Sequence, residues 1–361
     1  MKFLKIFEYK IIFFLGLFSY RYFLDFIYIE LINEFFEYEG FIIDESVYSR
    51  NISWISLLFF FPFIYKIVRK ELFSSNILFL LFLISFIPMT CLMRFIPTEF
   101  DFFILYLTYW FLLIVFYLLI PRIKISPPSL NSKSKLMWFL IFLFSGSIIF
   151  ISGYYHDFRF TLDLSDVYTF RDEESKANYP TFFNYIIPAA SNIMPLFLVY
   201  FLIVKRYLWA AFLSIIMILN FSTGGHKTIL FNLFLAFFGY IFFNYKSIYK
   251  YSWGLISLLI ICLIEFKTIS TFLITNFLVR RVLYVPSKLN YYYYDFFTKN
   301  SPDFYFQGPL RRFGLESEYK KPISEIIGSQ YSESIGMMAN NGLFSDAYAN
   351  LNIFGIFLLP V

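Results

Sequence analysis

Apolar runs of about twenty residues, each closed by a short polar break, recur along this chain, and a helix of that length crosses a hydrocarbon layer about 30 Å thick. Phe102–Ile120 carries no charged residue at all. The chain therefore reads as all-α, a polytopic helical integral membrane protein forming one membrane domain over 1–361. Composition agrees: 59% of residues are hydrophobic and 15% charged, where a soluble chain carries about a quarter charged. Mean hydropathy is +0.65.

The pattern predicts spans over 11–32, 51–68, 76–96, 102–120, 136–154, 185–204, 207–222, 227–244 and 249–266, with a last one starting near 344, about ten in all. The first is long, lacks a small-residue exit and reads as an uncleaved signal anchor. Orientation follows from the basic residues of the short loops. With the N-terminus cytoplasmic, Lys2, Lys5, Lys10, Lys66, Arg69, Lys70, Arg122, Lys124, Lys133, Lys135, Lys205, Arg206, Lys246 and Lys250 all fall inside. The outer side then opens with Glu34, Glu37, Glu39, Asp44 and Glu45, followed by Glu99 and Asp101. Two larger extracytoplasmic loops result, at about 155–184 and 267–343. Within the second, the stretch 268–289 is moderately amphipathic. Arg280 and Arg281 argue against a span, since an arginine at mid-bilayer costs about 2.5–3.5 kcal/mol on insertion scales. It reads as an interfacial helix ending before Pro286. The last span would hold few residues and a proline, which reads as a truncated final helix.

Two cysteines, Cys91 and Cys262, lie in apolar segments, so neither a structural disulfide nor a thiolate metal site is expected. His156 and His226 lack any paired-histidine spacing, and no metal or other cofactor is predicted. The 54 Phe and 30 Tyr are better explained by an AT-rich coding sequence than by a ligand platform.

Chemistry is sought in the polar material the spans leave over. Arg171, Arg280, Arg281, Arg311 and Arg312 lie on the predicted outer side. They are either ordinary loop charges or an anion site, for which the guanidinium fork is well shaped. Thr223–Thr228, TGGHKT, is an outward turn with Gly224, Gly225 and Lys227 ahead of a helix N-terminus. It is either an anion cradle or simple turn geometry. Arg21 and Asp25 stand one helical turn apart and read as a structural ion pair rather than a relay. Neither a catalytic triad nor a paired-carboxylate spacing stands out.

Three segments resemble the bacterial oligosaccharide repeat-unit polymerases of the O-antigen and capsule pathways. SDVYTFRDEE places Arg171 after an Asp-x-Tyr pattern. TGGHKTILFNL resembles the family's small-residue and Lys turn entering a span. RRVLYVPSKLNYYYYDFF, followed downstream by ANNGLFSDAYANLNIFGI, resembles its basic-aromatic stretch and late-span entry. The likeness covers about 160–361, and the first half matches in hydropathy alone. Members carry one or two further spans after the last segment, in keeping with a truncated form.

The resemblance implies a membrane glycosyltransferase on the outer face of the bacterial cytoplasmic (inner) membrane. A growing glycan on undecaprenyl pyrophosphate would move onto the non-reducing end of a new repeat unit. The implied partners are that lipid-linked oligosaccharide and membrane lipid, with a chain-length regulator as a further candidate and no nucleic acid. Arg171, Arg280 and Arg281 are assigned to the pyrophosphate, with Lys227 in support, and no nucleotide is needed. Candidate bases for the acceptor hydroxyl are His156, His226, Asp295 and Asp346. His226 is favoured by its neighbour Lys227, a cation that disfavours the imidazolium. Asn341, Asp346, Tyr348 and Asn350 either cap a helix start or recognise sugar hydroxyls. The rival readings are an O-antigen ligase-type transferase and a lipid-linked oligosaccharide flippase or transporter, the latter expected to show an internal repeat and a polar midplane.

Overall fold

The computed structural model describes residues 2–70, 72–120, 130–161, 167–177, 179–242, 250–331 and 338–360. Among these residues the regular structure is all helical, with no strand. Eight helices are long and apolar enough to cross a membrane, the first covering Tyr9–Glu39 and the last Tyr251–Ile269. Two shorter apolar helices, Lys227–Ile241 and Leu343–Leu358, correspond to the other two predicted spans. Even an unbroken helix of 16 residues would reach about 24 Å, short of a hydrocarbon core of about 30 Å, and Leu343–Leu358 is interrupted at Asn352. The class is that of a multi-pass helical membrane protein.

The helices are α1 (Lys2–Ile27), α2 (Val47–Val68), α3 (Phe73–Phe95), α4 (Phe100–Leu119), α5 (Leu130–His156), α6 (Val167–Lys176), α7 (Thr181–Ile203), α8 (Tyr207–Gly224), α9 (Lys227–Phe242), α10 (Tyr251–Ile269), α11 (Val285–Lys299), α12 (Ile323–Tyr331) and α13 (Leu343–Leu358). Packing divides them into two compact units. The first combines Met1–Arg122 with Tyr245–Val361, and the second is Ile123–Asn244. The first unit closes around aromatic rings: Phe86 lies 4.7 Å from Phe60, 4.7 Å from Phe82 and 5.4 Å from Trp110, centroid to centroid. In the second, Phe144, Met194, Leu198, Phe201, Leu213 and Met217 fill the space between α5, α7 and α8. Lipid offers little hydrophobic drive between helices, so such close side-chain packing carries the association.

Proline is handled in one way twice. In α3 the turns Phe82–Phe86 widen to π geometry, and the Ile87 N–H bonds to the Phe82 carbonyl just ahead of Pro88. Ahead of α11 the turns Thr275–Tyr284 do the same, with the Val285 N–H on the Arg280 carbonyl just before Pro286. A proline ring clashes with the carbonyl four residues back and offers no N–H. Widening the preceding turn moves that carbonyl aside. The predicted stop before Pro286 is thereby corrected, because the helix runs through to Lys299.

Candidate functional site

In the second unit, two segments that sequence analysis singled out meet. Helix α8 ends at Gly225, whose φ of +61° is a left-handed cap that glycine adopts without strain. Its N–H bonds to the Phe221 carbonyl at 2.7 Å. Gly224 is the last helical residue, and a Cβ there would sit 2.8 Å from both carboxylate oxygens of Glu174 on α6. The missing side chain lets that carboxylate approach the turn, where its Oε2 lies 2.9 Å from Nε2 of His226. The predicted anion cradle at Gly224 and Gly225 thus receives an anion from the chain itself. His226, assigned a role from its neighbour Lys227, has a carboxylate partner instead.

The loop leading into α6 is tied to the same helix end. Arg159 donates to the Ser222 carbonyl (3.0 Å) and to Glu173 (2.6 Å), and stacks on Phe170 at 4.0 Å. His156 Nε2 lies 2.6 Å from the Tyr179 hydroxyl. Burial, reinforced by Glu174, pushes the Tyr179 phenol up to about 12, so it stays protonated. Arg171 and Lys227 are both exposed beside these contacts.

Below the turn lies a cleft of about 320 Å³ lined by Glu174, Tyr179, Phe183, Asn184, Ser191 and Asn232, with His226 and Thr228 at its rim. Its wall is α7, which carries Pro188 and Pro195 inside the helix. Each proline frees the carbonyl four residues before it, on Asn184 and Ser191. The Asn232 amide donates to the Ser191 carbonyl at 3.4 Å, and the Asn220 amide to the Ser191 hydroxyl at 3.0 Å. Amides and a hydroxyl therefore hold open a polar recess between otherwise apolar helices.

The first unit gathers the remaining candidates. Arg280 is buried: its Nη1 donates to Glu39, and its Nε and Nη2 donate to Asn276 Oδ1 at 2.8 and 2.6 Å. Arg281 is exposed, its guanidinium 5.5 Å from the Phe277 ring. Asp295 accepts from Lys299 (2.6 Å) and from Tyr331. Burial opposes its charge, but those two bonds outweigh it and hold the carboxyl below its ordinary range. Asp346 accepts from Asn341 (2.7 Å), Tyr305 (3.2 Å) and Asn350 (3.3 Å). Tyr348 is 3% exposed, lies 5.2 Å from the Tyr294 ring and bonds to Thr298 at 3.2 Å. Helix α13 opens with the Ser345 hydroxyl accepting from the Gly342 N–H at 2.5 Å.

Lys288 escaped sequence analysis. It is buried, donates to the Glu39 carbonyl and lies 4.6 Å from the Phe41 ring. Gly40, at φ +79°, lets the loop fold over the amine. Nothing in the linear sequence links Lys288 to Glu39. Burial lowers its ammonium to about 8 from an ordinary 10.5, against the opposing pull of Glu39. The unfolded amine keeps its proton to higher pH, so the folded chain binds fewer protons between those two values. This contribution to stability therefore rises as pH goes from about 8 toward 10.5. Replacing Lys288 with Met is expected to abolish that slope, read as the difference in melting temperature between the two detergent-solubilised chains across the window. A slope shared equally by both chains would refute the assignment.

The three arginines assigned to one pyrophosphate are thus distributed: Arg171 belongs to the second unit, Arg280 and Arg281 to the first. Arg280 already has a carboxylate partner. Glu174, Tyr179 and Asn232 were missed, although Glu174 stands within the quoted SDVYTFRDEE; only the fold shows which of its acidic residues meets Gly224. Among the described residues no three His, Cys, Asp or Glu side chains gather as a metal site. Comparison with protein families, characterised proteins and solved structures gives no match.

Proposed function

We propose that this protein polymerises undecaprenyl-pyrophosphate-linked oligosaccharide repeat units on the outer face of a bacterial cytoplasmic membrane. One observation carries the reading. The segments that bear the resemblance, far apart in sequence, pack in pairs. SDVYTFRDEE meets TGGHKT through Glu174, Gly224 and His226. The tyrosine-rich α11 meets α13 through Thr298, Tyr294 and Tyr348. A shared arrangement of these segments is consistent with that pairing.

The chemistry asked of such a protein is modest. A lipid pyrophosphate is already a good leaving group, so positioning and charge stabilisation are the main tasks. Arg171, exposed on the second unit, is the guanidinium group we assign to the departing diphosphate, with Lys227 of the same unit in support. Arg280 we assign to holding Glu39. The basic short loops support a reading with the N-terminus inside and these residues outside. A transporter would line a midplane path with charge, whereas the buried Arg21 and Asp25 bond to each other.

The test is the glycan banding pattern of cells lacking the gene. A single repeat unit with the longer ladder gone is the expected result. Lipid-linked units trapped on the cytoplasmic side would instead indicate a flippase, and polymer held on its lipid carrier a ligase. An unchanged ladder would refute all three.

A further inference from the structure

The cleft of the second unit has a chemistry distinct from anion binding. Its charged lining at the turn is Glu174, whose carboxylate lies against Gly224 and would repel a phosphate there. Along the walls stand Asn184, Ser191, Asn192 and Asn232, which both donate and accept, together with Thr228. Pro188 frees the carbonyl of Asn184 on the same wall. Tyr179 and Phe183 add aromatic surface. Mixed donors and acceptors with aromatic faces and little net charge match a neutral ligand rich in hydroxyl groups. A volume of about 320 Å³ is enough for the end of such a ligand.

At the rim, the His226–Glu174 contact sets the ring's protonation pattern. With Nε2–H directed at Glu174 Oε2, 2.9 Å away, Nδ1 keeps its lone pair. A proton taken there creates an imidazolium beside a carboxylate. His226 is half-exposed and Glu174 less so, so the pair borders both the cleft and solvent.

We propose that this cleft seats the sugar end carrying the acceptor hydroxyl, that His226 is its general base, and that Glu174 is the positioning residue for the imidazole. The inference rests on the polymerase reading and adds to it the acceptor subsite and the proton path. The hydroxyl oxygen attacks the anomeric carbon of the donor glycan, and its proton passes to Nδ1 of His226. The bond from that carbon to the phosphate oxygen breaks, and its electron pair leaves with the pyrophosphate, which stays on the lipid.

The test uses the full chain in proteoliposomes. The probe is the lipid-linked repeat unit extracted from cells lacking the gene. His226→Asn is expected to lower kcat by about 100-fold, in the range of a lost general base. Glu174→Gln keeps a hydrogen-bond acceptor but not the charge, and is expected to lower kcat about tenfold with KM unchanged. Asn184→Leu, at an exposed position that holds no packing together, is expected to raise KM and leave kcat in place. That division is not produced by a merely structural role, and Asn184→Leu keeps the subsite testable if a dyad variant fails to fold. Wild-type kcat in both dyad variants, or wild-type KM in Asn184→Leu, would overturn the proposal. Absence of any accumulated repeat unit in the deletion cells would remove the polymerase reading itself, a failure visible before any variant is made.

Discussion

Replacing Asp25 with Ala is expected to cost about 3–5 kcal/mol, the loss typical of breaking a buried ion pair from one side. Arg21 is wholly buried, and all three of its guanidinium nitrogens donate: to Asp25, to the Thr90 hydroxyl (3.2 Å) and carbonyl (3.0 Å), and to Ser53 (3.5 Å). Asp25 in turn accepts from Arg94 at 2.7 Å, and Arg94 closes on Glu45 through two bonds of 3.0 and 3.1 Å. Charge is thus passed from a buried arginine on α1 to the partly exposed Glu45. Removing Asp25 leaves two guanidinium groups facing each other, one of them sealed from water. Whole-domain stability is about 5–15 kcal/mol, so the expected result is a sharply lower melting temperature in detergent and little protein in the membrane. The double change Arg21→Met with Asp25→Leu is expected to recover part of that loss, because it removes the sealed guanidinium together with its carboxylate and leaves Arg94 on Glu45. A single mutant that melts like the wild type would show that the network is not closed as described.

That network also marks where sequence reading stops. The pairing of Arg21 with Asp25 is legible, because residues four apart share a helix face. Arg94 and Glu45 join from other segments, and no periodicity announces them. The apolar runs were legible for a similar reason: lipid forces each to satisfy its own backbone, so composition alone sets the element. Pro286 misled because a proline usually ends a helix, and the π turns that absorb it have no composition of their own. Gly224 was read as freedom for a turn, but Gly225 supplies that and Gly224 supplies room for Glu174. For the Glu39, Arg280 and Lys288 cluster, long-range closure decides everything. The sequence marks Arg280 as an odd charge in an outer segment without naming its partner.

Helix α13 gives the second large expected effect. It is written as one apolar stretch, yet Asn352 sits at φ +50° and ψ −136° and breaks it. The break is supported on both sides: the Asn352 side chain accepts from the Ile353 N–H at 2.7 Å and donates to the Phe297 carbonyl at 3.3 Å. The Ala349 and Asn350 carbonyls accept instead from the N–H groups of Asp303 (2.9 Å) and Phe304 (3.0 Å). The chain then doubles back so closely that a Cβ on Gly355 would lie 2.0 Å from the Ala347 carbonyl oxygen and 2.7 Å from its carbon. Both are backbone atoms and cannot rotate aside. Gly355→Ala should therefore cost about 3 kcal/mol, at the upper end of overpacking effects, read as a lower melting temperature. Gly254→Ala is the matched control: that glycine lies inside α10 with nothing within 4 Å of its added methyl. There the same change should stabilise by up to about 1 kcal/mol, since alanine is the better helix former. In an unbroken helix residues 347 and 355 would be two turns apart, and alanine would be welcome at both glycines. Opposite signs at the two positions would therefore establish the break at Asn352, and equal gains would exclude it.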